Sequence, residues 1–413
     1  MRVELPYGDG RITGEIAEGY RTRVLERKLP PAVEDPGALV RAALANPIGA
    51  RRLAEVVRPG EKVVVVTSDI TRPFPARVVL PHVLEELEAA GVSLSDVTVV
   101  FGLGIHRPQT EEERRRLVGE EIYLRVRCVD SSSGDVVCLG RTRRGTPLDV
   151  DRRVVEADRR VCLGNLEYHY FAGYSGGVKA ILPGASSRRT VEANHSMMVM
   201  DAARAGKLEG NPVREDIDEL VEHLPVDFIV NVVPGSHGAP AAVVAGHPIM
   251  AHREGCRLVD RWNSVAVDEL ADVVLVSAGG SPKDVNLYQA QKALDNAAHA
   301  VKDGGRLILV ARCQEGFGEP TFEIWLREAR GPEDCLRRVS ERFELGGHKA
   351  AALARTAARV RIIMVTDMPE EDVATAFAER AGSLEEALAG GGGLLYVIPE
   401  GGSVLPRLGA SGH

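Results

Sequence analysis

The feature that most constrains this chain is a series of short, continuously apolar runs separated by helix-length segments. Lys62 to Thr67 reads KVVVVT, and comparable runs follow at Asp96 to Phe101, Val161 to Leu163 and Phe228 to Val233. The series resumes at Val273 to Val276, Arg306 to Val310, Val360 to Val365 and Leu394 to Ile398. A strand with one wet face alternates apolar and polar residues, whereas a strand covered on both faces does not. The intervening stretches Val83 to Ala90, His252 to Trp262 and Leu287 to Val301 carry helical patterns. Strand and helix in alternation predict two α/β domains with mainly parallel sheets, and such sheets bind ligands beyond the carboxyl ends of their strands. The expected division is an N-terminal domain over residues 1–265 and a C-terminal one over 266–402. The tail, about 403–413, is expected to pack back on the first. The active site is expected in the cleft between the domains.

Several function classes are excluded by composition. The net charge of −8 comes with mixed signs and no basic block, and aromatic residues make up 4% of the chain. Neither suits nucleic acid, which needs clustered positive surface or stacking rings. The N-terminus lacks an apolar signal core, and no apolar run approaches the ~20 residues that span a bilayer. Six scattered cysteines contain no CxxC pair, which predicts reduced thiols and a cytoplasmic enzyme. Of the 51 basic residues only eight are lysine, so each lysine stands out against a strong preference for arginine.

Polar residues gather just after the predicted strands. The first group is Asp69-Ile70-Thr71-Arg72-Pro73, where Pro73 stiffens the turn and could hold the Arg72 guanidinium out to grip a carboxylate. From these residues alone, an ordinary Asx turn with a solvated arginine is the leading reading. The second is Gly102 to Thr110. Thr110 and Glu113 form a capping box that anchors the loop carrying His106, a position suited to a general base and also to a surface histidine. The third, densest group runs from Glu167 to Lys179, with His169, Ser175, Lys179 and three glycines (Gly173, Gly176, Gly177), and continues to Asn194-His195. The glycines would let backbone approach a ligand closely, although the pattern is neither a Walker loop nor GxGxxG. In the second domain Tyr288-Gln289-xx-Lys292 opens a helix; Gln289 and Lys292 share a face that is either solvated or binding. Gly346-Gly347-His348-Lys349 reads mainly as a helix start.

Together these segments resemble the nickel-pincer-nucleotide-dependent lactate racemase family, over nearly the whole chain. The resemblance is carried by Asp69, Thr71, Arg72 and Pro73, by His106-Arg107-Pro108, and by His169, Lys179 and Asn194-His195. It extends through Gly210-Asn211-Pro212-Val213-Arg214-Glu215-Asp216 and Tyr288-Gln289-xx-Lys292. The spacings of ten residues from His169 to Lys179 and sixteen from Lys179 to His195 are similar to the family's.

The resemblance implies a nickel-bearing nucleotide derived from nicotinic acid mononucleotide, linked covalently to Lys179 through a thioamide and made by dedicated biosynthetic enzymes. It implies His195 as a nickel ligand and His106 and His169 as paired acid and base. Arg72 and Lys292 would hold a substrate carboxylate, with Tyr288 and Gln289 lining the pocket. Asp69, Thr71, Ser175 and the stretch Gly173 to Gly177 would lie against the cofactor. The chemistry suits these residues. The carbinol hydrogen of a 2-hydroxy acid is weakly acidic, so leaving as hydride avoids a dianion, and a base need take only the hydroxyl proton. Inversion then requires a proton-transfer group for each orientation. Lactate-specific members carry a tryptophan near the substrate, whereas Trp262 and Trp325 fall elsewhere, so the expected substrate is a small 2-hydroxy acid rather than lactate in particular. A nicotinamide-dependent oxidoreductase and a zinc hydrolase built on His106, His169 and His195 are the competing expectations; the first lacks its glycine fingerprint and the second HExxH.

Overall fold

The computed structural model describes all residues except 31–32, 73, 236–238 and 410–413. Pro73, and the turn-stiffening role expected of it, therefore lie outside the described residues. The chain forms two compact units, Leu29–Trp262 and a second made of Met1–Lys28 with Asn263–His413.

In the first unit a six-stranded sheet runs in the spatial order Pro240–Gly246, Phe228–Pro234, Arg159–Asn165, Val63–Ser68, Val97–Gly102, Arg127–Asp130. Every neighbouring pair is parallel except the edge pair Phe228–Pro234 with Pro240–Gly246. The run KVVVVT becomes a central strand because Val63, Val64, Val65 and Val66 are all within 1% of complete burial, which leaves no wet face to demand alternation. Each such valine contributes on the order of 1.5–3 kcal/mol by leaving water. One layer of that core is the helix Ala76–Ala89, whose Val79, Leu80, Val83 and Leu87 pack with Val65, Val99 and Phe101. Because the strands are parallel, the loops after Ser68, Gly102 and Asn165 leave the sheet at one edge. The three polar groups found in the sequence lie on those loops.

The second unit also holds a six-stranded sheet, in the order Ala378–Ala381, Arg361–Val365, Val301–Val310, Ala271–Ser277, Gly393–Ile398, Tyr20–Val24, all parallel. The expected boundaries need correcting here. Residues 1–28 belong with this unit rather than with the N-terminal one, because Tyr20–Val24 completes the sheet edge beside Gly393–Ile398. The tail likewise stays in this unit: Leu405–Leu408 pairs in parallel with Ser264–Val267. Backbone pairing between segments as distant as Tyr20 and Gly393, or Ser264 and Leu405, leaves no local trace in composition, so neither contact was visible in the sequence. No helix among the described residues is long and apolar enough to cross a membrane, and all six cysteines are free.

Candidate active site

The loop after Val63–Ser68 turns at once around a buried carboxylate. Asp69 Oδ1 accepts from the Thr71 backbone N–H at 3.2 Å and from the Thr71 hydroxyl at 2.6 Å. Its other oxygen, Oδ2, lies 2.6 Å from His106 Nδ1. A carboxylate only accepts, so Nδ1 of His106 carries a proton. Burial works to raise the Asp69 pKa, but the hydrogen bonds from His106 and Thr71 outweigh it and hold the carboxyl below its ordinary range. The two loops are tied further by Gln109, whose Oε1 accepts from Ile70 N at 2.8 Å while its own N–H groups donate to Asp130. The expected capping box forms, with Thr110 and Glu113 each bonded to the other's backbone.

His169 occupies a two-residue strand, Tyr168–His169, paired with Gly173–Tyr174. Its Nδ1 accepts from the Ala172 backbone N–H at 3.3 Å, so here the bare nitrogen is Nδ1. Phe171 stands edge-on to both His169 and His195, with ring centroids 4.5 and 4.8 Å away. Burial, then the positive charges of Lys179, His195, Arg72 and Arg214, hold the His169 pKa well below 6.5.

The motif Gly210 to Asp216 is the scaffold of this loop. Asn211 caps the helix Pro212–Asp218 through Oδ1 and donates Nδ2 to Phe171 O at 2.8 Å. Arg214, completely buried, donates to Ala172 O and to Tyr174 O and pairs with Asp218. Tyr168 and Tyr174 both donate to Asp260 Oδ1, at 2.8 and 2.7 Å.

Lys179 follows on a single turn of 3-10 helix, Gly177–Ala180. Burial, then the charges of Arg72 and Arg214, lower its pKa from 10.5 to about 7. Near neutral pH a sizeable fraction of the amine is therefore unprotonated and nucleophilic. The glycines before it are required by the protein's own packing. Gly173, Gly176 and Gly177 all have positive φ, and the space a Cβ would enter is filled by protein: Lys207 O at 2.0 Å, Leu166 Cδ1 at 2.7 Å and His252 Cδ2 at 2.9 Å. Ser175 is likewise engaged locally, its hydroxyl donating to Asn165 O and accepting from Glu167 N, each at 2.9 Å. Gly102 and Gly104 bring the His106 loop against the segment after Lys179: Gly104 N donates to Gly184 O at 2.7 Å, and a Cβ at Gly102 would stand 3.0 Å from Ala180 O.

Arg72 is exposed and makes no ion pair among the described residues, yet its charge acts on both Lys179 and His169. With Arg214 behind and Arg72 in front, the site is a positive basin able to receive an anion. His195 lies in the last turn of the helix Arg188–Ser196, its Nδ1 3.0 Å from Asn194 Oδ1. No cluster of three or more His, Cys, Asp or Glu able to hold a metal occurs among the described residues.

In the second unit Tyr288, Gln289 and Lys292 lie at the start of the helix Leu287–Ala297, capped by Asn286, whose Oδ1 accepts from Gln289 N at 3.0 Å. Gln289 is exposed; Tyr288 and Lys292 are half-buried. Lys349, read from sequence as part of a helix start, places Nζ 4.0 Å from the Tyr288 ring centroid and donates to Tyr288 O. Trp325 is a core residue, bonded through Nε1 to Glu344 at 3.0 Å and packed on Gly347.

Two buttresses were missed by sequence reading. Asn231 accepts from Gly177 N at 2.8 Å, and His252, its pKa lowered by burial to about 3, lies 2.9 Å through Nε2 from Ser175 O. A lone asparagine inside the run FIVNVVP was an available signal. His252 gave none, for a polar residue on an amphipathic helix is expected to face water.

The loops thus bring His106, His169, Lys179 and Arg72 to the carboxyl edge of one α/β sheet. Residues 7–206 match the lactate racemase N-terminal domain and residues 267–405 the lactate racemase C-terminal domain. The chain is 34% identical to the lactate racemase of Thermoanaerobacterium thermosaccharolyticum, over 98% of this chain and 99% of that protein. It is 31% identical to that of Lactiplantibacillus plantarum, over 98% and 100%. The solved lactate racemase apoprotein from T. thermosaccharolyticum superposes with a TM-score of 0.89 at 33% identity, covering 98% of this chain and 100% of that one. A protein from Thermotoga maritima shares the fold alone, with a TM-score of 0.64 at 19% identity, over 92% and 100%. The chain belongs to the lactate racemase family and is an isomerase of the racemase type.

Proposed function

We propose that this enzyme inverts the configuration of a small 2-hydroxy acid, using a nickel-pincer nucleotide bound covalently at Lys179. The observation that carries the reading is the Lys179 amine itself, brought to a pKa of about 7 by burial and by Arg72 and Arg214. A thioamide bond needs a neutral amine, and a surface lysine at 10.5 would seldom offer one. The rest of the donor set fits the same group. A metal that arrives already held by an organic ligand needs one imidazole from the protein rather than a cluster, and His195 would provide it. When bound, the cofactor supplies a hydride acceptor for the carbinol carbon.

The chain's own residues do the remaining work. Arg72 holds the substrate carboxylate; in the second unit, Lys292, Tyr288 and Gln289 are proposed by themselves as substrate-binding residues. His106, its Nδ1 committed to Asp69, takes the hydroxyl proton at Nε2 as the carbinol carbon is oxidised. His169 performs the corresponding transfer for the opposite enantiomer. Asp69 and Thr71 keep His106 in register, while Gly173, Ser175, Gly176 and Gly177 set the path of the backbone into Lys179. The substrate is a small 2-hydroxy acid, lactate among the candidates; Trp325, committed to the core, is withdrawn from any part in choosing it.

Intact mass of protein co-expressed with the cofactor-making enzymes tests the covalent assignment. The expected result is one adduct per chain, absent from Lys179→Ala. An unmodified wild type, or an adduct that persists in Lys179→Ala, overturns it. A panel of chiral 2-hydroxy acids, followed by optical rotation, then identifies the substrate.

A further inference from the structure

His195 owes its orientation to a buried chain of hydrogen bonds that reaches well away from the site. Its Nδ1 is 3.0 Å from Asn194 Oδ1. The Asn194 amide cannot be turned over, because Nδ2 donates to Asp216 Oδ2 at 2.8 Å and to Val213 O at 3.3 Å, both of which only accept. Asp216 is held in turn by the Thr142 hydroxyl, which donates to Oδ1, while Thr142 Oγ1 accepts from Thr146 N at 3.1 Å. Asn194 and Asp216 are completely buried and Thr142 is 5% exposed. Each member has one sense of donation, fixed by the next. With Oδ1 facing the ring, His195 must present Nδ1 as a donor.

We infer that Thr142, Asp216 and Asn194 are positioning residues that fix His195 in the Nδ1–H tautomer and so make Nε2 its metal-ligating nitrogen. The inference rests on the proposed nickel cofactor for its purpose, but the tautomer itself is a property of the protein alone. A histidine that ligates a metal commonly donates its other N–H to an outer partner, which orients the ring and raises its basicity. Here the donor goes to a neutral amide whose orientation is governed by a carboxylate one step further out. The arrangement also gives Asp216, the last residue of the Gly210 to Asp216 motif, a task distinct from that of Asn211 and Arg214, which hold the Phe171 to Tyr174 backbone.

Nickel retention and ring tautomer read this directly. In full-length apoprotein labelled with 15N-histidine, long-range 1H–15N spectra assigned with His195→Gln show His195 as Nδ1–H, and Asn194→Ala loses that state. In loaded protein Asn194→Ala keeps the mass adduct on Lys179 but releases nickel to a chelator roughly 10- to 100-fold faster. Thr142→Val, which leaves Asn194 and Asp216 in place, accelerates release by only a few-fold and serves as the reading variant should Asn194→Ala fail to fold. A residue with a merely structural role would lower Tm without changing tautomer or release rate. The inference is overturned if apo His195 carries its proton on Nε2. It is equally overturned if folded Asn194→Ala, or in its stead Thr142→Val, keeps both the wild-type tautomer and the wild-type release rate. A wild type that never acquires the adduct would defeat the cofactor reading, and the apo spectra would still decide the tautomer.

Discussion

His106 and His169 are the same residue type on two loops of one sheet edge, yet their surroundings are opposite. His106 faces a carboxylate, Asp69, which accepts a hydrogen bond from its Nδ1. His169 faces a backbone N–H at its Nδ1 and, beyond burial, four positive groups that favour the neutral ring. Neither could take the other's place by a change of side chain alone, because what differs is the polarity of the partner at Nδ1. An enzyme that inverts a stereocentre must handle two mirror-related substrates with a chiral protein. The proposed division of proton transfer between two unlike histidines answers that demand.

The comparison is broken most directly by removing each ring. His106→Ala and His169→Ala are each expected to lower kcat by roughly 10²- to 10⁴-fold, the range for loss of a general acid or base. Measuring both directions of inversion sharpens the result, since equal loss in both directions in both variants would mean that the two histidines are not divided between enantiomers. Asp69→Asn keeps the shape but removes the charge opposite His106, and a drop of about 10²-fold in kcat is expected, with His169-dependent steps untouched. If activity survives in full, the carboxylate is only a turn residue.

Arg72→Ala is expected to raise KM about 10-fold or more, the equivalent of a charge-assisted hydrogen bond to the substrate carboxylate. It should also raise the pKa of Lys179, read as the pH midpoint of amine labelling in the apoprotein. An unchanged midpoint would contradict the electrostatic role given to Arg72.

The lysine offers a pH test in which the sign is fixed. Folded Lys179 titrates at about 7 and the unfolded lysine at 10.5, so between these values the unfolded chain binds a proton that the folded one does not. Apo wild-type stability should therefore rise with pH across that window relative to Lys179→Met, by at most about 1.4 kcal/mol per pH unit. Below about pH 7 the difference should level off with the wild type at its weakest. Parallel denaturation curves through the window would refute the depressed pKa. The smallest expected effect is that of Tyr174→Phe, which removes one of two hydroxyls on Asp260 and should cost about 1 kcal/mol of stability.

Much of this was legible in the sequence, for identifiable reasons. Runs such as KVVVVT declare parallel strands because full burial removes alternation, and the predicted edges of the Val63–Ser68 and Val97–Gly102 strands fell within one residue. The Thr110–Glu113 box was readable because capping is a local event of four residues. Asp69, His106, His169, Lys179 and His195, singled out by motif order and spacing, all lie in one unit. Other features were hidden. The atoms that require glycine at positions 173, 176 and 177 belong to Lys207, Leu166 and His252, none of which the local sequence points to. The edge strand Tyr20–Val24 and the tail Leu405–Leu408 were misassigned, because backbone pairing carries no code for its partner.

The division has a physical basis. What the sequence determined by itself is what short-range chemistry can encode: apolar period, caps, and which residue types stand after which strands. What only the tertiary structure decided is protonation and orientation, for these depend on which atom lies within about 3 Å of a ring nitrogen or an amine. A lysine at position 179 is a fact of sequence. A lysine that is a ready nucleophile is a product of burial and of Arg72 and Arg214 gathered around it.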